Sequence, residues 1–454
     1  QRMILDPEKG LPTADAYVRE FHSHSDGTTL VYMQGEMLEW RNNTWCLLSD
    51  DAMNARLLPW LHRAVRPKRS GDGVVYADFN ANTRTVATAL SAIKSRVFCE
   101  APDEPVAWLG GEDGRYPPSE LLVCSNAIVH LPTRAQIAQT PAVFTRSTLG
   151  CEYVPDAPEP EAWLRFLGDL FGEDADSVDL LQEWFGYHLT LDTRFQKILL
   201  MLGPPRAGKG VTARVLGAMM GDGNVAHPST ATFSENFGLQ DFIGKSAAII
   251  SDARFKGADA HRAMERLLNI SGEDRLTIDR KYNAPMSVKL RTRITILSNE
   301  MPMLQDTAGA LAARFLVLRL TESFRGREDE RLADRLIGEM PGILLWAIEG
   351  WRRLQLRGYF LQPSDGALVL EEIGILGSPM RSFITACCQI GPEHRISVDS
   401  IYKAFSAWCD TEGMSTPTKI EFGRNLMAEV PRVNKKRGTD RAAFYAGIGL
   451  SSDG

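Results

Sequence analysis

No stretch of the 454-residue chain is apolar for anything near the length that crosses a bilayer, and no charged-then-apolar leader opens it. A membrane span and a secretory signal are therefore not expected. No Cys-x-x-Cys pair is present either. The seven cysteines, Cys46, Cys99, Cys124, Cys151, Cys387, Cys388 and Cys409, are odd in number and scattered. That set fits reduced thiols in a cytoplasmic protein better than a disulfide framework or a zinc site. An excess of positive charge is missing too. A net charge of −6 excludes a uniformly basic nucleic-acid coat, so any such contact must come from local patches, such as lysines lining a ring with an acidic exterior. Internal repeats and low-complexity tracts are absent. Residue 1 is Gln, which leads us to expect a chain without its natural N-terminus.

What is present is the composition of a globular protein long enough for roughly two to four domains. Residues 1–155 read as a mixed α/β region, with strands at Leu30–Met33 and Met37–Cys46 around an Asn-Asn turn and a helix from Asp51 to Val65. Strand and turn signals fill 66–160. Residues 156–195 carry Trp163, Phe166, Leu167, Leu170 and Phe171 at helical spacing and read as a helical collar. Residues 196–355 alternate strand and helix signals, the pattern of a parallel sheet. A linker over 356–377 and a smaller module over 378–454 complete the chain.

The most informative segment is Gly203, Pro204, Pro205, Arg206, Ala207, Gly208, Lys209, Gly210 and Val211, between the apolar run Ile198–Leu202 and a helical pattern through Met220. Strand, glycine-rich turn and helix in that order make a phosphate-binding loop. Glycines let backbone N–H groups turn inward, the helix N-terminus adds positive potential, and Lys209 reaches the β/γ-phosphates of ATP. The usual hydroxyl after the lysine is replaced by Gly210, with Thr212 further on.

Downstream, the buried-strand signal Ala247–Ile250 ends in Ser251-Asp252, where a carboxylate can hold Mg2+; an acid that merely ends a strand would look alike. Ala253 follows it, so the general base is open among Glu273, Asp274 and Glu300. Arg293–Ser298 is a third strand ending in Asn299, an amide that can orient the attacking water. Arg314 precedes the apolar run Phe315–Leu318. It reads either as an arginine finger reaching a neighbouring subunit or as a surface arginine bracketing a strand. Two alternating segments around Asn283-Ala-Pro285 predict a hairpin with Lys281 and Tyr282, followed by Lys289, Arg291 and Arg293. Cations beside an aromatic suit a single-stranded DNA backbone, and solvated hairpin charges would look the same.

Together these residues resemble the superfamily 3 helicases, and more narrowly the helicase part of primase-helicases of phages, satellite phages and mobile elements, in the poxvirus-like NTPase group. The matching text is Gly203 to Gly210, Gly244 to Asp252, Glu265 to Asp274, Arg280 to Tyr282, Leu297 to Pro302, Gly309 to Phe315 and Gly342 to Trp346. The resemblance implies a P-loop, AAA+-like α/β ATPase core flanked by a helicase-associated N-terminal region (Trp40, Trp45) and a C-terminal winged-helix-like module. Tyr402 to Cys409 and Phe422 to Leu426 carry the latter, with Lys435-Lys-Arg437 as a basic wing near Arg432 and Arg441. It assigns Lys209 to phosphate, Asp252 to the second acidic motif, Lys281 to DNA, Asn299 to the sensor and Arg314 to the trans finger. It further implies a hexameric homo-oligomer on single-stranded and fork DNA, moving 3′ to 5′. No primase-type carboxylate cluster stands out in 1–150, so a primase would lie upstream. Two rivals stay open, a nucleotide kinase and an ATP-switched initiator or origin-binding scaffold without processive unwinding.

Overall fold

The computed structural model describes all residues except 1, 71–72, 103, 111–115, 234, 254–257, 282, 302–311, 378, 412–415, 438–442 and 452–454. Tyr282, Pro302, Ser378, Arg441 and residues 309–311, singled out above, lie outside the described residues.

The N-terminal region forms around a three-stranded antiparallel meander, Leu30–Met33, Glu36–Arg41 and Thr44–Leu47. Its second turn is the expected Asn-Asn pair. Asn42 and Asn43 sit at φ 48° and 63°, the left-handed conformation that a two-residue hairpin turn needs and that Asn tolerates. Trp40 stands opposite Trp45, whose buried indole donates to the Val143 carbonyl at 3.2 Å. Helices Gly10–Phe21, Asp50–His62 and Thr83–Arg96 close a core that includes Tyr17, Leu57, Trp60 and Ile93. The third helix departs from the strand and turn signals expected over 66–160. Its Thr- and Ser-rich text reads poorly as helix, but Asn82 and Thr85 cap it reciprocally, and Val86, Ala89, Leu90 and Ile93 supply a buried stripe.

The parallel sheet consists of β1 (Ile198–Leu202), β2 (Val225–Ala226), β3 (Ala247–Ile250), β4 (Arg293–Ser298) and β5 (Phe315–Arg319). The spatial order is 2-3-4-1-5, and every pairing is parallel. Both faces are covered, which is why these strands are near-continuous apolar runs rather than alternating ones. Leu199 and Met201 face one cluster of core residues, Ile198 and Leu200 the other.

The collar is two helices, Glu161–Phe171 and Ala175–Tyr187, divided at Gly172. The second crosses Met340–Arg357 with the two backbones touching. A Cβ on Gly186 would lie 2.2 Å from the Trp351 nitrogen, and one on Gly350 would lie 2.2 Å from the Gln182 carbonyl oxygen. Beside this crossing Glu183, fully buried, accepts from Arg353 at 2.7 Å and from Arg357.

Residues 356–377 were expected to be a linker. Instead, Ser364–Gly377 is a helix whose Val369 and Ile373 pack into the core with Val317. Just before it, the Gln362 amide accepts from the Val317 N–H at 3.0 Å and donates to the Val317 carbonyl at 2.8 Å, covering the edge of β5. The last module runs helix (Pro379–Cys387), strand (Cys388–Ser397), helix (Val398–Thr411), helix (Lys419–Glu429), then strands Asn434–Arg437 and Ala443–Leu450. Ala443–Leu450 is the middle strand of three, and Phe383, Ile401, Phe405, Phe422 and Tyr445 form the core. All seven cysteines are free. Among the described residues no helix is long and apolar enough to cross a membrane.

The glycine crossing yields a stability prediction. In an isolated helix Gly186→Ala would gain about 1 kcal/mol of propensity. Here the added methyl must push two helices apart, so we expect a net loss of about 1–3 kcal/mol. A lowered urea midpoint with unchanged slope is the expected result; a raised midpoint would mean that the crossing yields easily.

Candidate active site

The loop is built where β1 ends. Gly203 donates to the Ser298 carbonyl of β4 at 3.3 Å, and a Cβ there would strike the Leu320 oxygen at 2.4 Å. Arg206 and Gly208 both have positive φ, 63° and 87°. At Gly208 a side chain would also meet Leu170 of the collar at 2.5 Å, so glycine is required twice over. The chain after β5 holds the loop from outside. The Phe324 N–H donates to the Arg206 carbonyl at 3.0 Å, the Ser323 hydroxyl to the Pro205 carbonyl at 2.9 Å, and Arg206 pairs with Glu328. Helix Lys209–Met220 then starts directly at the loop, with its free N–H groups and positive dipole end turned toward it.

Lys209 is only 8% exposed. Its Nζ donates to the carbonyls of Gly203 (2.6 Å) and Pro204 (2.8 Å) and to Oδ1 of Asn299 (2.9 Å), one acceptor for each ammonium hydrogen. Burial pushes its pKa below the usual lysine range, and the Asp252 carboxylate opposes that shift. Asn299 Nδ2 in turn approaches Asp252 Oδ1 at 3.5 Å. Asp252 holds φ 50°, a costly conformation for a residue other than glycine. Three residues far apart in sequence thus meet because β3, β4 and β1 are neighbours.

The hydroxyl question has a structural answer. Thr212 is buried and its Oγ1 turns back to the Gly208 carbonyl at 3.3 Å, inside its own helix. The space beside Gly210 is open. Asp252 is therefore the one described side chain of the predicted set positioned to take part in a magnesium site. Mg2+ commonly keeps several waters and substrate phosphates with one or two carboxylates, so this donor set fits it sparsely.

Other expected residues lie elsewhere. Arg314 precedes β5, at the end of the sheet opposite the loop, and donates to the Ser271 hydroxyl at 3.3 Å. The five residues of β5 separate it from the loop side by about 16 Å. Glu273 lies at that opposite end as well, bonded by Thr193 and by Lys289 at 3.1 Å. Burial alone would raise its carboxyl, but the Thr193 and Lys289 contacts outweigh burial and hold it below the usual range. Asp274 adjoins it. Of the three candidate bases only Glu300, next to Asn299, is on the loop side.

The hairpin exists, as Arg275–Arg280 paired with Asn283–Lys289. Arg280 pairs with Asn283, so Asn283-Ala-Pro285 lies in the second strand and not at the turn, which Lys281 enters directly after Arg280. Lys281 is exposed at the tip, and its backbone N–H donates to Gln240 Oε1 at 2.7 Å. Nothing in the spacing of the sequence signals Gln240 as this anchor. Lys289 and Arg291 are not beside Lys281. They stand at the hairpin's foot in ion pairs with Glu273 (3.1 Å) and Glu104 (3.0 Å). Arg293 is buried, its guanidinium 5.1 Å from the Tyr187 ring centre and bonded to the Thr190 and Ser246 carbonyls.

Comparison with known proteins adds a short stretch of sequence and a whole fold. The profile of a family described as "Family of unknown function (DUF5906)" matches residues 201–314, from within β1 to Arg314. No curated protein matches. Solved structures of the NrS-1 C-terminal region do. Its A form apo structure covers 98% of this chain and 100% of its own at 12% identity, with a TM-score of 0.54. The A form apo structure of residues 305–718 gives 0.56 over the same shares, and a further apo structure gives 0.55, both at 12% identity. This chain therefore shares the fold of the NrS-1 C-terminal region across nearly its whole length.

Proposed function

We propose that this protein is an ATP-driven, ring-forming DNA helicase that serves replication of a mobile element. The observation that carries the reading is the Lys209–Asn299–Asp252 chain, set at the adjoining ends of β1, β4 and β3. In a P-loop, AAA+-like core those positions bind phosphate, sense the γ-phosphate and hold the metal. The sheet order 2-3-4-1-5, with Asn299 on the strand between loop and acid, supports that assignment. The carbonyl and amide oxygens around the Lys209 ammonium stand where phosphate oxygens would replace them. Bound Mg2+ would neutralise phosphate charge, with Asp252 as its protein ligand. Arg314 acts in trans, being on the wrong side of its own sheet for its own loop. Lys281, carried at the tip of a hairpin, contacts single-stranded DNA. The three-helix, three-strand tail acts as a winged-helix module with Lys435, Lys436 and Arg437 exposed on its edge strand.

One observation favours a second reading. Gly210 lacks a hydroxyl and that of Thr212 faces its own helix, which weakens the metal site and suits an ATP-switched scaffold that assembles on DNA without processive unwinding. Nucleotide-dependent assembly without strand displacement would select it.

Lys209→Ala should lower ATP turnover by about 10²- to 10³-fold or more, as loss of a positioned cation at the reacting phosphate does. Asp252→Asn should bind nucleotide nearly as wild type yet hydrolyse it slowly. Steady-state kinetics with a nucleotide-binding titration check both, and normal turnover by Lys209→Ala sinks the reading. Arg314→Ala should cost on the order of 10³-fold in kcat. Mixing it with Lys209→Ala subunits should restore part of the activity, because one interface then holds an intact loop and an intact finger. No recovery at any ratio, with wild-type subunits exchanging freely, rejects the trans role. Lys281→Ala should keep basal ATPase but lose unwinding and DNA stimulation. Arg291→Ala, which breaks the Glu104 pair, should leave unwinding per folded subunit unchanged; the reverse pattern would move the DNA contact to the hairpin's foot.

A further inference from the structure

Strands Val65–Ser70 and Gly73–Asp78 form a two-stranded antiparallel ribbon that, among the described residues, joins no larger sheet. Six residues per strand make it about 20 Å long. Its root is fixed. Val65 is buried, pairs with Ile4, accepts from the Leu5 N–H at 2.8 Å, and Arg2 meets Asp78 at 3.1 Å. Beyond the root both faces are in solvent. Val74, Val75 and Tyr76 are 60%, 48% and 59% exposed. An isolated hairpin of this kind is marginal in water and presents unpaired edges, so its persistence as an open arm calls for a partner.

Its charge identifies the partner. Arg66, Lys68 and Arg69 lie on one strand, and none makes an ion pair with a described residue. The one acid among the ribbon's described residues, Asp78, is taken by Arg2 at the root. This basic arm belongs to a chain of net charge −6, so it is a local feature and not a sample of an overall basic surface. The pairing register divides the cations between faces. Lys68 stands opposite Val75 and Arg66 opposite Ala77 on one face, while Arg69 opposite Val74 and Pro67 opposite Tyr76 make up the other. Cations on both faces of a narrow ribbon suit a site with phosphates on both sides. The major groove of duplex DNA is such a site: about 12 Å wide, it admits a two-stranded ribbon and is walled by both phosphate backbones. A flat acidic protein surface or an anionic lipid surface would engage one face only. Val74, Val75 and Tyr76 provide apolar contact for groove edges such as thymine methyl groups.

We infer that the ribbon of Val65–Ser70 and Gly73–Asp78 is a duplex-DNA-binding arm, which enters the major groove and holds it through Arg66, Lys68 and Arg69. The inference rests on the helicase reading only in taking DNA as the partner. It assigns the duplex to this arm, separately from the single strand at Lys281.

The test uses the full chain with Arg66, Lys68 and Arg69 all changed to Ala, alongside Tyr76→Ala. All four are partly or fully exposed, so thermal midpoints should stay near wild type. Affinity for a random-sequence duplex, measured by fluorescence anisotropy, should fall about tenfold or more in the triple variant. The plot of log affinity against log salt should become shallower by about 2 to 3, at roughly 0.9 for each phosphate that the arm ceases to neutralise. Tyr76→Ala should weaken binding with the salt slope unchanged. Oligothymidine-stimulated ATPase should be unaffected in both. Unchanged duplex affinity and slope in the folded triple variant overturns the inference, as does a wild type that does not bind duplex. Equal loss on duplex and oligothymidine also overturns it, because the arm would then track a single strand. Normal ATP turnover in Lys209→Ala would sink the helicase reading and leave these duplex results, and with them the arm, standing, so the two readings fail separately.

Discussion

A lysine ammonium withdrawn almost wholly from water needs an oxygen for each of its hydrogens, and that demand organises the centre of this molecule. Lys209 meets it with two loop carbonyls and one side-chain amide. The carbonyls are available because Gly203 and Gly208 let the backbone fold under itself, and the amide because β4 lies between β1 and β3. Move β4 to an edge and Asn299 would be a strand's width or more from the ammonium, about 5 Å per strand. The collar, which closes on Gly208 through Leu170, keeps the site from opening. The glycine crossing at Gly186 and Gly350 keeps the collar in place.

Much of this was legible because it is local. The loop motif, the Asn-Asn turn, the helical stripe of Trp163, Phe166, Leu167 and Leu170, and the unbroken apolar strands are patterns of neighbouring residues. What stayed hidden depends on tertiary partners. Thr83–Arg96 has text that reads as turn and strand until Asn82 caps it and the meander offers a surface for Leu90 and Ile93. Ser364–Gly377 passes for a linker because its Gly residues and short polar start weaken the helical pattern, and only the edge of β5 gives it a place to pack. Lys289 and Arg291 read as candidate DNA cations because their partners, Glu273 and Glu104, are set by folding and not by spacing. The hairpin turns earlier than its text suggests for a similar reason: Gln240, some forty residues earlier, fastens the backbone of Lys281.

Charge follows the same rule. The acidic total hides where cations stand unpaired and where they are spent on structure. Arg353 and Arg357 neutralise the buried Glu183, and Arg293 is enclosed by carbonyls and the Tyr187 ring. Such groups contribute to the fold and offer nothing to a polyanion. Arg66, Lys68 and Arg69 look no different in composition, yet they stand on an arm with no core of its own. Only topology separates the two kinds of arginine.

Topology also gives the proposed cycle its shape. Helix Ala258–Ser271 runs about 21 Å at 1.5 Å per residue, from the segment after Asp252 toward the far end of the sheet. At its C-terminus Ser271 accepts from Arg314, and two residues on Glu273 takes Lys289 at the hairpin's foot. Under the proposed function, a subunit's own nucleotide would act near the start of this helix. A neighbour's nucleotide would act through Arg314 at its end. Both inputs would then reach the same hairpin foot, and the Lys281 tip would move according to two sites and not one. That arrangement needs a second chain for a physical reason: no rotamer of Arg314 spans the length of β5 to reach the loop of its own subunit, so a finger at this position can serve only the loop of another.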